Sequence, residues 1–108
     1  MAFQVVVTAA AVGDLEEIAE WIAQNDAPAR AVEVVDRIES AITALAKFPN
    51  RGAHPPELLA LGIREYRETS FKPYRIFYRV EGKRVFVDLV ADGRRDMQSL
   101  LERRLLEG

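Results

Sequence analysis

The sequence predicts an α+β fold: a strand, an antiparallel helical hairpin, a three-stranded antiparallel meander and a short C-terminal helix. Three observations carry that expectation. Two long segments of the first half repeat apolar residues at three- and four-residue spacings, the period of a helix. In the second half, apolar residues alternate with arginines between tight turns, the period of a strand. The helical segments come before the alternating ones, so they should pack together on one face of an antiparallel sheet.

Phe3 to Thr8 is short and valine-rich and reads as a strand. Val5, Val6 and Val7 run without alternation, which predicts burial on both faces or a central position in the sheet. Adding it to the sheet of the meander is the simplest arrangement. Thr8 is a candidate cap for the helix that follows. That helix carries Ala11, Leu15, Ile18, Ala19 and Ile22 on one stripe and ends near Asn25. Asp14, Glu17 and Glu20 fall largely elsewhere, towards the start, where the helix dipole favours acids. Trp21 sits at the stripe's edge and is expected to pack there. Asp26 is expected to cap the second helix, with Pro28 in its first turn. Ala31, Val34, Val35, Ile38, Ile42, Leu45 and Phe48 form its stripe, which Pro49, Asn50 and Gly52 end. The very short connection makes the two helices an antiparallel hairpin. Pro55 and Pro56 mark a loop.

Strands are expected over roughly 63–68, 74–80 and 83–91. With Glu81-Gly82 as a two-residue turn, Val80 pairs with Lys83, Tyr78 with Val85 and Ile76 with Val87. One face then carries Tyr74, Ile76, Tyr78, Val80, Val85, Val87 and Leu89. The other carries Arg75, Phe77, Arg79, Arg84, Phe86 and Asp88, with Arg75 opposite Asp88 as a cross-strand ion pair. Met97, Leu100, Leu101 and Leu105 stand at helical spacing and predict the final helix.

A chain of 108 residues is expected to form one domain, residues 1–108. It has no cysteine, which excludes disulfides and thiolate chemistry, and a single histidine, which excludes a histidine metal cluster. No apolar run approaches the roughly 20 residues that span a bilayer. The N-terminus lacks the basic start and long apolar segment of a leader, so a cytoplasmic protein is expected. The net charge of −2 gives no whole-molecule attraction to nucleic acid. The charge is uneven, however. Residues 1–63 hold four basic and nine acidic side chains, and residues 64–108 hold eleven basic and eight acidic. The second half therefore offers a local basic surface.

The functional candidates are Arg75, Arg79, Arg84, Arg94 and Arg95, with Arg64, Arg67 and Lys72 behind them. Arginine binds phosphate or carboxylate as a fork, so such a cluster suits an RNA backbone, charge developing during phosphodiester cleavage, or an acidic protein patch. A solvated sheet surface accounts for the same residues, and for Arg84 it is the preferred account. His54, in its proline-flanked loop, has no nearby partner for nucleophilic catalysis and is expected to be a surface residue. Tyr74 and Tyr78 belong by parity to the apolar face. No phosphate-binding glycine loop is present.

The run Tyr74-Arg75-Ile76-Phe77-Tyr78-Arg79-Val80, a glycine turn, a valine-rich strand and Asp92-Gly93-Arg94-Arg95-Asp96 resemble the ParE/RelE superfamily of toxins of type II toxin–antitoxin systems. The Asp14-Leu15-Glu16-Glu17-Ile18 helix and the Phe48-Pro49 helix end fit as well. The resemblance implies a RelE/ParE-like fold and one of two activities. ParE-like members inhibit DNA gyrase, and RelE-like members cut mRNA on the ribosome; neither activity uses a cofactor. It also implies a cognate antitoxin, ParD-like or RelB-like, that wraps an extended segment and a helix around the toxin. Arg75 and Arg95 match the arginines of the RNase members, and only Arg64 and Arg67 lie near the positions of their second-strand lysines. Leu100 or Leu101 stands where those members place a tyrosine. The ParE-like branch is therefore expected, with Arg75, Arg79, Arg94, Arg95, Arg103 and Arg104 as the antitoxin- or target-binding set and no catalytic residue. The alternatives are a ribosome-dependent endoribonuclease using Arg75, Arg95, Arg64 and Arg67, and a non-toxic binding module of the same fold.

Overall fold

The computed structural model describes residues 2–107. It contains strand β1 (Gln4–Val7), helices α1 (Ala9–Asn25) and α2 (Pro28–Ala44), a short helix α3 (Pro56–Leu59), strands β2 (Tyr66–Phe71), β3 (Tyr74–Glu81) and β4 (Arg84–Asp92), and helix α4 (Met97–Leu101). A π-helical turn over Glu102–Leu106 follows. The four strands form one sheet in the order β1-β4-β3-β2. β2, β3 and β4 are an antiparallel meander, and β1 lies parallel to β4. The α+β arrangement is the one the sequence predicts.

β1 is an edge strand, not a central one. Its valines are half-buried because the hairpin covers one face of the sheet and little covers the edge. Thr8 does cap α1: its hydroxyl accepts from Ala11 N–H at 3.3 Å. The first turn of α1 contains no acid. Asp14 lies further in and makes side-chain contacts described below. Asp26 does not cap α2. It ends α1, donating its N–H to Ile22, while Ala27 begins α2 and Pro28 occupies the first helical position. A proline there needs no N–H partner. The proline pair Pro55-Pro56 opens α3 instead of a plain loop, for the same reason.

The hairpin packs on one face of the sheet. Ala11, Leu15, Ile22, Ala31, Val34, Ile38, Ile42 and Leu45 meet Ile76, Tyr78, Val85, Val87 and Val90 there. Phe48 lies past the helix end and is exposed, with the Arg51 guanidinium 3.9 Å over its ring. Trp21 is 63% exposed, so it is not the packing residue its place beside the stripe suggests.

The β3–β4 register differs from the expected one. Glu81 pairs with Arg84 across a Gly82-Lys83 turn, with Gly82 at φ +59°, so Val80 meets Val85 and Tyr78 meets Val87. This is a slip of two residues, which leaves every side chain on its expected face up to Val87. A bulge between Phe77 and Tyr78 then inserts Asp88 and reverses the parity of β4 beyond it. Val90 joins the helix-side core, and Leu89 and Ala91 turn to the opposite face. Arg75 therefore faces Ala91, and the expected Arg75–Asp88 pair does not form.

The second face is not simply basic. Phe77, Leu89 and Ala91 are covered by Leu58 of α3 and by Met97, Leu100 and Leu101 of α4, a second core. Asp96 caps α4, its carboxylate accepting from Ser99 N–H at 3.2 Å and holding its own pKa below the usual range through that residue. The first meander strand begins at Tyr66, not Ile63, because Ile63 is drawn under α3 into this cluster. Among the described residues, no helix is long and apolar enough to cross a membrane.

Candidate functional site

Arg75 leaves β3 on the second face and reaches two carboxylates. Its Nη1 and Nη2 donate to Glu57 Oε2 and Oε1 at 2.7 and 2.9 Å. Its Nε and Nη2 donate to Glu68 Oε1 and Oε2 at 2.8 and 2.9 Å. Glu57 belongs to α3 and Glu68 to β2, so one guanidinium joins three elements. The three side chains are only 19%, 22% and 17% exposed for Arg75, Glu57 and Glu68. Its hydrogen bonds to these carboxylates push Arg75 above the ordinary arginine range, and Arg75 holds Glu57 below the ordinary carboxylate range. The cluster carries one net negative charge. A phosphate approaching Arg75 would have to displace a bidentate carboxylate and meet that charge.

The other arginines divide sharply. Arg79 donates from Nε to Asp88 Oδ2 at 2.9 Å, also pairs with Glu81, and lies 4.4 Å over the Phe86 ring. Burial pushes the Asp88 carboxyl up from its usual value, against the pull of Arg79. Arg104 donates to both Asp14 carboxylate oxygens, at 2.7 and 3.1 Å, and to the Asp88 carbonyl at 3.1 Å. Asp14 Oδ2 also accepts from Val90 N–H at 3.0 Å, so this node ties the C-terminal turn to α1 and β4. Arg94 is exposed and forks onto Asp92, at 2.6 Å from Nη2. Arg67 donates to the Gly52 carbonyl at 2.7 Å. Arg64, Arg95 and Arg103 are exposed, and none forms an ion pair among the described residues.

The predicted binding set is thus not one surface. Arg75, Arg79 and Arg104 are tied down in the fold, Arg94 is tethered locally, and Arg95 and Arg103 remain open. The predicted RNase set is likewise dispersed: Arg75 is clamped, Arg67 holds a loop, and Arg64 and Arg95 are exposed. Sequence reading missed Glu57 and Glu68 as partners of Arg75. Glu57 stands 18 residues away in a segment read as a loop, so no local spacing signals the contact.

Two further polar side chains are tied into the fold, His54 more deeply than the surface position expected for it. The Tyr78 hydroxyl is fully buried, donates to the Pro49 carbonyl at 2.7 Å and accepts from Gly52 N–H at 3.2 Å. Burial pushes its phenol pKa up. Gly52 is required at that point, since a Cβ would lie 2.3 Å from the Tyr78 hydroxyl. His54 is half-buried and its Nδ1 lies 3.0 Å from the Tyr66 carbonyl, so that nitrogen carries the proton and donates.

A cleft of about 450 Å³ opens between α1 and the end of β4. Ile18 and Trp21 of α1, Tyr74 of β3 and residues 90–92 of β4 form its walls, and Arg94 and Arg95 stand at its rim. Burial raises the Tyr74 phenol pKa. Trp21 had a weak signal in the sequence: it lies one residue before Ile22, about 100° away from the core stripe.

The comparisons with known proteins agree with this geometry. Residues 5–97 match the family model of the ParE toxin of the type II toxin–antitoxin system parDE. The chain is 29% identical over 92 residues to Toxin ParE3 of Caulobacter vibrioides, covering 85% of this chain and 88% of that protein. Its fold is similar to that of a chromosomal ParDE system from P. aeruginosa, with a TM-score of 0.72 and 22% identity over 84% of this chain and 96% of that one. It is also similar to a mutant of the E. coli toxin RelE in the free state, with a TM-score of 0.64 and 12% identity over 99% of this chain and 97% of that one. The family model covers most of the sequence, from the edge strand to the start of α4, and the chain belongs to the ParE toxin family of type II toxin–antitoxin systems.

Proposed function

We propose that this toxin acts by binding and inhibiting DNA gyrase in the cytoplasm, without a catalytic step of its own, and that a ParD-like antitoxin neutralises it. The observation that carries this reading is the clamp on Arg75. Its position matches the strand arginine of the RNase branch, yet its fork is filled by Glu57 and Glu68. A group that must meet charge developing on phosphate works from an open, preorganised position. Leu100 and Leu101 support the same reading. They stand where RNase members place a tyrosine, and both are buried in the second core.

The test adds purified toxin to a gyrase supercoiling reaction and, separately, to ribosomes translating a defined mRNA. The expected result is lost supercoiling with intact mRNA, reversed by one equivalent of the antitoxin encoded beside the toxin. Codon-phased mRNA cuts that vanish in Arg75→Ala, with gyrase unaffected, would overturn the proposal in favour of the endoribonuclease. Inactivity in both assays with retained antitoxin binding would leave the non-toxic binding module.

A further inference from the structure

A groove of about 290 Å³ lies between α1 and α2. Val12, Glu16 and Ala19 of α1 line one side, and Val35 and Glu39 of α2 line the other. It is separate from the cleft at Trp21, because Ala19 and Trp21 leave α1 about 200° apart. Its valines add little to the fold. Val35, which its spacing counts with the core stripe of α2, is only half-buried, and neither it nor Val12 joins the core under the sheet. Val12 is 42% exposed, and Val32, one turn before Val35 on the same side of α2, is 62% exposed. Valine is a poorer helix former than alanine, so at an exposed helical site it is a small cost to folding. Three valines beside one groove make a patch, which differs from the scattered apolar exposure of any protein surface.

The rim of this patch is acidic. Glu16 and Glu39 are exposed, and neither forms an ion pair among the described residues. Residues 9–44, the two helices and their connection, hold eight acidic and two basic side chains. Of the two cations, Arg30 is paired with Glu33 at 2.6 Å, and Arg37 leaves α2 about 200° from both Val35 and Glu39. Neither lines the groove. Along each side the residues recur at three- and four-residue spacings, Val12-Glu16-Ala19 and Val32-Val35-Glu39. An occupying helix presents the same spacing in return.

We propose that this groove takes a basic amphipathic helix of the toxin's protein target, with aliphatic side chains set between Val12 and Val35 and lysines or arginines paired with Glu16 and Glu39. The assignment rests on the gyrase reading above and names the surface and the chemistry of contact. An enzyme that grips DNA neutralises phosphates with lysine and arginine, so its surface supplies the complementary charge. Nucleic acid itself would be repelled by the rim. A second copy of the chain fits poorly as well, since a two-fold contact would bring Glu16 and Glu39 of one copy against those of the other.

The test uses the full toxin and purified gyrase. Binding is measured by surface plasmon resonance at several salt concentrations, and inhibition by the supercoiling reaction. Glu16→Lys combined with Glu39→Lys should weaken gyrase binding at least tenfold and raise the toxin concentration needed for inhibition by a similar factor. Glu16→Gln combined with Glu39→Gln should weaken binding less and flatten its salt dependence. Val12→Ser should weaken binding at least threefold and leave the salt dependence as it is. All three sites are exposed, and an unchanged melting temperature of the free toxin shows that each variant is folded. Affinity for the co-encoded antitoxin should stay within twofold of wild type. Gyrase binding and inhibition within twofold of wild type in every variant overturns the groove assignment and leaves the gyrase reading standing. A wild-type toxin that neither binds nor inhibits gyrase overturns both. Equal losses of gyrase and antitoxin affinity assign the groove to the antitoxin, and self-association of the free toxin that the variants abolish assigns it to a second copy; either result overturns the proposal.

Discussion

Arg75 shows why residue type alone did not reveal its role. Arginine in an alternating strand signals a binding fork, but the partners of that fork were set by the approach of α3 and β2. Removing the guanidinium leaves Glu57 and Glu68 facing each other at low exposure. Arg75→Met should destabilise the fold by about 3 kcal/mol, read as a lowered urea midpoint, since breaking a buried pair strands the remaining charge. Adding Glu57→Gln and Glu68→Gln should restore part of that loss. The pH dependence has a definite sign. The folded pKa of Glu57 lies below its unfolded value, so the unfolded chain binds its proton first as pH falls. The stability from this group is present above the ordinary glutamate range and is lost as pH drops through the lowered folded value. Glu57→Gln should therefore show a shallower loss of stability in acid than wild type.

The helical hairpin was readable because its stripes are long and periodic. Ile38 and Ile42 are buried as the spacing requires, and Ile42→Ala should cost about 2–4 kcal/mol, measured by chemical denaturation. The meander was less readable. Its hydrophobic alternation is blind to a two-residue slip, because side chains keep their faces, and only the turn chosen by Gly82-Lys83 fixes the pairing. The bulge at Asp88 had no local signal: the extra residue is accommodated because Arg79 takes its carboxylate and Arg104 its carbonyl. Deleting Asp88 should leave Leu89 opposite Phe77 and Val90 opposite Ile76 in a regular ladder, keep a cooperative unfolding transition in calorimetry, and lower its midpoint through the lost Arg79 and Arg104 contacts. The C-terminal helix gives a further check. Leu101 is fully buried, so Leu101→Tyr should not create ribonuclease activity, and should instead lower stability by about 1–3 kcal/mol through overpacking.

Taken together, the chain ties Arg75, Arg79 and Arg104 into internal ion pairs and leaves Arg95 open beside a partly aromatic cleft. Charge steering by such a surface is modest, so binding to the antitoxin should depend mainly on apolar burial. Titration calorimetry of the toxin with its co-encoded antitoxin should give a Kd in the nanomolar range or below and a clearly negative heat-capacity change. A heat-capacity change near zero, with affinity falling steeply in salt, would point to an electrostatic complex instead.

The sequence by itself determined the family and every main element except the short helix α3. The stripes of Leu15–Ile22 and Ile38–Ile42, the alternation around Ile76 and Tyr78, and the arginine blocks at Arg75 and Arg95 are local patterns, and local patterns survive in one dimension. Three things were decided only when the elements met. β1 took the edge because its partner β4 already had β3 on its other side. The second face became a core because Leu58 and Leu101, far apart in the chain, closed over Phe77. Arg75 became an internal bridge and Arg95 stayed open because Glu57 and Glu68 reach the first and no carboxylate pairs with the second among the described residues. Each of these depends on which residues from distant segments come within a hydrogen bond or a van der Waals contact, and chain spacing carries no record of that distance.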